Sequence, residues 1–164
     1  MRVRYSTSLV AAWMLAATAF LNAAPAFAQI TESSDELIAI LQSADADLHA
    51  KAVACKKLAV VGDAKAVPVL AELLTDPKLS HYARFGLEPN PSPAADEALR
   101  AALDKVEGRL LAGVINSIGV RKDAGAIDKL KELSASDDPQ VVSAVAHALG
   151  QIASVESANV LKEM

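Results

Sequence analysis

Few residues in this sequence have the types and spacing that catalysis or metal binding requires. None of the three histidines, His49, His81 and His147, is followed by a second metal ligand at the next turn of a helix. Ser80 and Ser143 precede histidines, but neither lies in the Gly-x-Ser-x-Gly pattern of an exposed nucleophile, and the chain has no Gly-rich phosphate loop. The carboxylates are dispersed over turns and helix starts, where capping explains them. We therefore expect no catalytic residue, no metal site and no cofactor, and a binding protein rather than an enzyme.

Cys55 is the single cysteine, so an intramolecular disulfide is impossible. Two interpretations stay open: a functional thiol, either reactive or bridged to another molecule, or a small buried residue in the apolar run Val53-Ala54-Cys55. The apolar neighbours favour burial. The chain has no Cys-x-x-Cys-His motif, which excludes covalent haem attachment within it.

The N-terminal segment 1–28 has the order of a secretory signal peptide. Arg2 and Arg4 precede an apolar stretch over 9–21, and Ala26-Phe27-Ala28 supplies a small-x-small cleavage site. An N-terminal membrane anchor is the alternative, but a membrane span needs roughly 20 apolar residues. We expect residues 1–28 to be removed and the mature protein, without stable membrane insertion, to be periplasmic or secreted in a bacterium.

Removal of the signal peptide leaves residues 29–164 and, with Arg2 and Arg4 gone, changes the formal net charge from −4 to about −6. Nucleic-acid binding normally requires a basic stripe, so nucleic acid is not an expected partner. Tyr82 and Phe85 are the only Phe, Tyr or Trp residues left. The core must therefore be built from Ala, Leu, Val and Ile.

The elements that position these residues follow from a repeat of leucines. Five leucines recur at nearly constant spacing, namely Leu41, Leu70, Leu99, Leu130 and Leu161. A fixed period of about 30 residues is typical of solenoids built from stacked helices. A second anchor precedes the leucine at one constant distance: Leu58 before Leu70, Ile118 before Leu130 and Leu149 before Leu161. Gly, Asp or Ser between the two anchors supplies turn and cap residues, so each repeat is predicted to be two helices joined by short turns.

This pattern resembles the short HEAT repeats of bacterial proteins, also called phycobilisome-lyase-like HEAT repeats. The residues that match their consensus are Asp45, Leu58, Gly62-Asp63, Ala66, Pro68 and Leu70 in one repeat, and Asp137, Val141, Ala144 and Leu149-Gly150 in another. The resemblance implies an all-α, right-handed α-solenoid of about four to four and a half helix pairs over residues 34–164, after a short linker at 29–33. It also implies alternating outer and inner helices, which we expect at 34–43, 47–61, 64–75, 78–87, 94–104, 106–120, 124–134 and 139–153.

One connection between helices differs from the short turns of the repeat. Between the fourth and fifth helices lies a Pro-rich loop in which proline alternates with other residues: Pro89, Asn90, Pro91, Ser92 and Pro93. Such a segment cannot be helical and is expected to be extended. It is either a stiff spacer or a docking loop for a partner.

The inner helices carry polar residues at equivalent positions. When the inner helices are aligned on Leu58, Phe85, Ile118 and Leu149, the residues one and two positions before these anchors form two columns. Stacking of the helices would place each column in a row along the concave face, the usual binding surface of solenoids. The polar members, our candidate partner-binding residues, are Lys56, Lys57, Arg84, Asn116, Ser117 and His147. The alternative is that these residues are solvated without a partner.

The residues from Glu156 to Met164 begin another outer helix, which suggests either a fragment of a longer protein or a lone capping helix. We expect an exported scaffold that binds another protein through its groove. The alternative is the repeat module, or N-terminal part, of a larger exported enzyme or haem protein. A lyase-like role rests on family analogy alone.

Overall fold

A computed structural model describes residues 30–164, and the predicted signal peptide lies outside the described residues. Glu32–Met164 pack as one unit. Over residues 30–164 the chain forms nine α-helices and no strand, which confirms the all-α prediction. The helices are α1 (Ser34–Gln42), α2 (Leu48–Val61), α3 (Ala66–Glu72), α4 (Ser80–Leu87), α5 (Ala94–Ala102), α6 (Gly108–Arg121), α7 (Ile127–Leu133), α8 (Pro139–Ile152) and α9 (Val155–Glu163). Every helix end lies within three residues of its predicted position, and 3₁₀ turns at Leu73–Thr75 and Ala124–Ala126 account for the largest differences.

Local sequence signals explain where the helices start. Ser33 and Glu36 form a capping box at α1, in which Glu36 Oε2 accepts from the Ser33 backbone N–H at 2.7 Å. Asp47 caps α2 by accepting from the backbone N–H of Ala50 at 2.7 Å. Asp138 caps α8, and Pro139 occupies its first turn, where a missing N–H is harmless.

The helices pack in two layers, as expected for a helical repeat. Each outer helix of the first four pairs packs against its inner partner, α1 on α2 through α7 on α8. Inner helices also stack on one another, α2 on α4, α4 on α6 and α6 on α8. α9 packs on α8 and α7 as a ninth, unpaired helix. The right-handed sense of the superhelix stays a prediction.

The repeated leucines form the centre of the core. Leu70, Leu99 and Leu130 have no exposed surface, and Leu41 is also buried. Leu161 is only partly buried, at the edge of the core. Because these side chains come from outer helices one repeat apart, they join the repeats into a single apolar core.

Phe85 is not a buried anchor of its helix, although the alignment of inner helices predicted it to be equivalent to Leu58, Ile118 and Leu149. Leu58, Ile118 and Leu149 are buried, whereas Phe85 is 48% exposed. The short helix α4 buries Ala83 and Leu87 instead. The shortened helix therefore presents its aromatic residue to solvent, and the predicted columns are out of register at α4.

Close packing between the inner helices α6 and α8 depends on Gly119. A Cβ atom at this position would lie 2.7 Å from Ala148 Cα on α8, closer than side-chain contacts allow. The equivalent residue one repeat later, Gly150, has no atom within 4 Å of such a Cβ. The Ile-Gly and Leu-Gly dipeptides thus look alike in sequence but only the first is packed against a neighbouring helix.

Candidate functional site

Arg84 and Ser117, two of the predicted partner-binding residues, bind each other across α4 and α6. Arg84 Nη1 donates to the Gly113 carbonyl oxygen at 3.0 Å and to Ser117 Oγ at 3.2 Å, and Ser117 Oγ donates to Glu88 Oε1 at 2.7 Å. Burial lowers the pKa of Arg84, and the charge of Glu88 opposes that shift. Ser117 is fully buried, so it differs from the exposed row that the sequence predicted and instead connects two helices.

Asn116 and His147 are brought together one repeat further along. His147 Nδ1 lies 3.3 Å from Asn116 Oδ1, within hydrogen-bonding distance. Both line an open groove of about 480 Å³ between α6 and α8. Its other lining residues are Ala112, Pro139, Gln140, Ser143 and Ala144. Whether this groove contacts a partner stays a prediction.

Lys56 and Lys57 project differently, although they are adjacent on α2. Lys57 forms an ion pair with Glu32. Lys56 is exposed, and its Nζ lies 5.2 Å from the centre of the Tyr82 ring, a cation–π distance. Neither lysine contacts the Asn116–His147 pair, so the six predicted residues form separate groups rather than one continuous row.

The Pro-rich loop is not helical, as predicted, but a residue that the sequence analysis missed holds it in place. Arg121 Nη1 donates to the carbonyl oxygens of Leu87, Glu88 and Asn90 at 2.9, 3.0 and 2.7 Å. The same guanidinium forms two bonds to Asp96, at 2.5 and 3.0 Å. With a further bond from Nη2 to the Ser92 carbonyl oxygen at 3.4 Å, six hydrogen bonds from this side chain connect the end of α6 to the loop and to the helices on either side of it.

Within this loop the side chains divide into structural and exposed groups. Asn90 is buried, its Nδ2 donates to the Asp63 carbonyl oxygen at 3.0 Å, and its Oδ1 accepts from the Ser92 N–H at 3.0 Å. Pro89, Pro91 and Pro93 are exposed. These contacts support the spacer interpretation for Asn90, while docking at the exposed prolines stays a prediction.

Three exposed apolar side chains converge beside this loop. Val60, Phe85 and Val120 are 74%, 48% and 50% exposed, and they line one groove of about 400 Å³ with Ala59, Glu88 and Pro89. We call this the apolar groove. The groove was not predicted from the sequence, because its residues do not lie at the positions directly before the anchors. Val60 and Val120 both lie two residues after an anchor, and that shared offset was the available signal.

The described part of the chain contains no arrangement suited to metal chemistry. Over residues 30–164, no cluster of three or more His, Cys, Asp or Glu side chains could hold a metal ion. Cys55 is completely buried on α2, and desolvation raises the pKa of its thiol to about 11. A buried, protonated thiol is a poor nucleophile. In the same residue range, no helix is long and apolar enough to cross a bilayer.

Comparison with known proteins identifies the repeat. The family model for HEAT repeats matches residues 93–164, which extend from the end of the Pro-rich loop through α9. No curated protein matches the chain. The two-layer packing and the repeated leucines continue upstream of the matched residues, through α1 to α4.

Proposed function

This chain is a HEAT-repeat protein, and we propose that it is an exported, non-catalytic scaffold that binds another protein across its inner helices. HEAT repeats are commonly protein-interaction scaffolds, and solenoids bind partners along extended surfaces. The apolar groove is the observation that carries the proposal. It gathers side chains from α2, α4 and α6, which are far apart in the sequence.

Clustering distinguishes this groove from ordinary surface exposure. Single exposed apolar residues are normal on soluble proteins, whereas several on one concave patch are typical of a binding site. Complete burial of a Val or Phe side chain stabilises by about 1.5–3 kcal/mol. When this energy is scaled by the exposed fractions of Val60, Phe85 and Val120, their complete burial by a partner would contribute on the order of 4 kcal/mol to the free energy of binding.

Site-specific photo-crosslinking in the native host tests the interaction. A photoreactive amino acid at Val60 or Val120 should give a discrete crosslinked protein, because both side chains line the apolar groove. Val155 is the matched control, since it is an apolar residue 82% exposed at the start of α9, away from the groove. Phe85→Glu in the same protein should abolish the adduct. Equal adducts from positions 155 and 60, or an adduct insensitive to Phe85→Glu, would contradict the proposal.

Export is the second part of the proposal and rests on the order of residues 1–28. We expect the purified protein to begin at Gln29 when it is isolated from the periplasm or the medium. N-terminal sequencing of each cell fraction measures this directly. Replacement of Ala26 and Ala28 by large residues should block processing, and an unprocessed wild-type chain in the cytoplasm would contradict the assignment.

A further inference from the structure

A third cavity in the described part of the chain, besides the Asn116–His147 groove and the apolar groove, is lined by basic residues. It lies where the segment before α4, α4 itself and the first turn of α6 meet, and its volume is about 370 Å³. Four of its side chains can carry positive charge: Lys78, His81, Arg84 and Arg109. Pro77, Ser80, Tyr82 and Leu110 complete the lining, and no carboxylate belongs to it. We call it the basic pocket.

The charge of the basic pocket is opposite to that of the chain. The sequence has 20 acidic and 16 basic residues, so a cleft lined by one sign of charge is not a consequence of composition. Two carboxylates adjacent to the lining residues keep their charge, but neither belongs to the lining and both accept hydrogen bonds from other groups. Asp76 Oδ1 accepts from the backbone N–H groups of Lys78 and Leu79 at 2.7 and 3.0 Å, and Glu88 accepts from Ser117. Like charges that converge in a cleft raise the local concentration of anions.

Two buried polar atoms in the lining residues lack a hydrogen-bond partner. Ser80 is only 1% exposed, and neither its Oγ nor Arg84 Nε has a partner among the described residues. Hydrogen bonds to Gly113 and Ser117 hold the Arg84 guanidinium by its Nη1, and Nε forms none of them. Buried donors are almost always satisfied in folded proteins, so both atoms point to a missing acceptor.

We propose that the basic pocket binds an oxyanion with the charge of phosphate, either free or as the phosphoryl group of a larger molecule. Lys78 and Arg109 are exposed and supply charge, and Ser80 and Arg84 belong to the same lining and carry the two donors without a partner among the described residues. Guanidinium groups match the geometry of phosphate oxygens. Tyr82 forms a wall against which the rest of a larger molecule could lie. This proposal is independent of protein binding at the apolar groove.

Isothermal titration calorimetry of the purified protein with sodium phosphate, in a low-salt chloride buffer, tests the proposal. We expect saturable one-site binding in the millimolar range or tighter. Lys78→Glu/Arg109→Glu should weaken it by about tenfold or more, because two of the cations become anions. Lys105→Glu/Lys162→Glu is the matched control: both lysines are exposed, the change in net charge is identical, and neither lines the pocket.

A parallel titration with glycerol phosphate distinguishes the two sources of the phosphoryl group. Tighter binding than that of inorganic phosphate assigns the pocket to a phosphorylated molecule, and equal or weaker binding assigns it to the free ion. No saturable binding of either compound would overturn the proposal. An equal loss in the two double variants would also overturn it, because general charge screening would then account for the binding.

Ser80→Ala provides a readout that does not depend on charge. Since Ser80 Oγ has no partner among the described residues, its removal should leave the melting temperature unchanged or higher in phosphate-free buffer. Phosphate affinity should fall by several-fold because the bound oxyanion loses a donor. A lower melting temperature together with unchanged affinity would show that the hydroxyl has a structural partner, and would remove Ser80 from the site.

Discussion

Replacement of Arg121 by alanine tests how the irregular join is held in a regular helical repeat. The Arg121 side chain is only 9% exposed, and it connects the end of α6 to Asp96 on α5 and to four carbonyl oxygens around the Pro-rich loop. Because Pro89 and Pro91 have no N–H, the loop has few backbone donors of its own, and the Asn90 N–H, which bonds to the Leu87 carbonyl oxygen, is one of them. Arg121 adds donors from outside the loop.

The expected magnitude follows from what the substitution leaves behind. Removing one partner of a buried ion pair costs about 3–5 kcal/mol when the other charge stays buried. The Asp96 side chain keeps 25% of its surface exposed, so water can partly solvate it after the loss of Arg121. The loop carbonyls also become accessible as the loop loosens. We therefore expect Arg121→Ala to lower the free energy of unfolding by about 3 kcal/mol, the lower end of that range.

Urea unfolding followed by far-UV circular dichroism measures this loss. Arg121→Lys keeps the charge but cannot form the paired bonds to Asp96, so it should recover less than half of the lost stability. A cycle with Asp96→Ala should show a coupling energy of about 1–3 kcal/mol, as expected for residues in direct contact. Arg109→Ala, which removes an exposed arginine at the other end of α6, should change stability by less than about 0.5 kcal/mol.

A small effect would refute this account of the loop. If Arg121→Ala lowered stability by less than about 1 kcal/mol, or no more than Arg109→Ala, the hydrogen bonds of Arg121 would not hold the loop in place. Limited proteolysis gives an independent measure. Cleavage within residues 88–93 should become much faster in Arg121→Ala than in the wild type, whereas cleavage near α8 and α9 should not change.

Three further predictions concern the inner helices. Gly119→Ala should lower the free energy of unfolding by about 1–3 kcal/mol through overpacking. Gly150→Ala should raise it by about 0.5–1 kcal/mol, because Ala favours a helix more than Gly does and no atom lies close to its Cβ. The urea midpoints of the two variants measure the difference, and equal losses of stability would contradict the packing argument. Ala153 has φ +54° at the end of α8, so Ala153→Gly should stabilise by about 1 kcal/mol, measured as a higher melting temperature. Cys55 should resist thiol reagents until the protein unfolds. Folding raises the pKa of the Cys55 thiol from 9.0 to about 11, so the stability that this thiol contributes is present below pH 9 and is lost as the pH rises to 11. Urea unfolding at pH values from 9 to 11 should show this decline in the wild type and not in Cys55→Ala.

The regular part of this fold could be predicted from the sequence because its signals are local or periodic. Leu70, Leu99 and Leu130 recur at the helical-repeat spacing, and each is completely buried. Ser33 and Asp138 mark helix starts through hydrogen bonds that reach only two or three residues along the chain. Neither kind of signal needs knowledge of how distant segments pack.

The errors lie where the repeat shortens or where contacts are distant in sequence. Two turns of helix in α4 are too few for a clear apolar period, so alignment by residue type placed Phe85 on the buried side. Arg121 resembles an ordinary basic residue in a last helical turn, which favours the helix dipole. Its acceptors lie 25 to 34 residues away, beyond the reach of any local pattern.

The polar residues of the inner helices were predicted as a binding row, but their geometry favours a different division of roles. Arg84 and Ser117 already bond across successive helices, and Asn116 lies within hydrogen-bonding distance of His147. A partner that bonded to these groups would exchange existing hydrogen bonds for new ones, with a small net gain. Burial of Phe85, by contrast, replaces contact with water and has no bond to break, and its half-exposed ring corresponds to about 1 kcal/mol. The bonds among these polar residues connect neighbouring inner helices, and under the proposed function most of the binding energy of a partner comes from the apolar groove beside them.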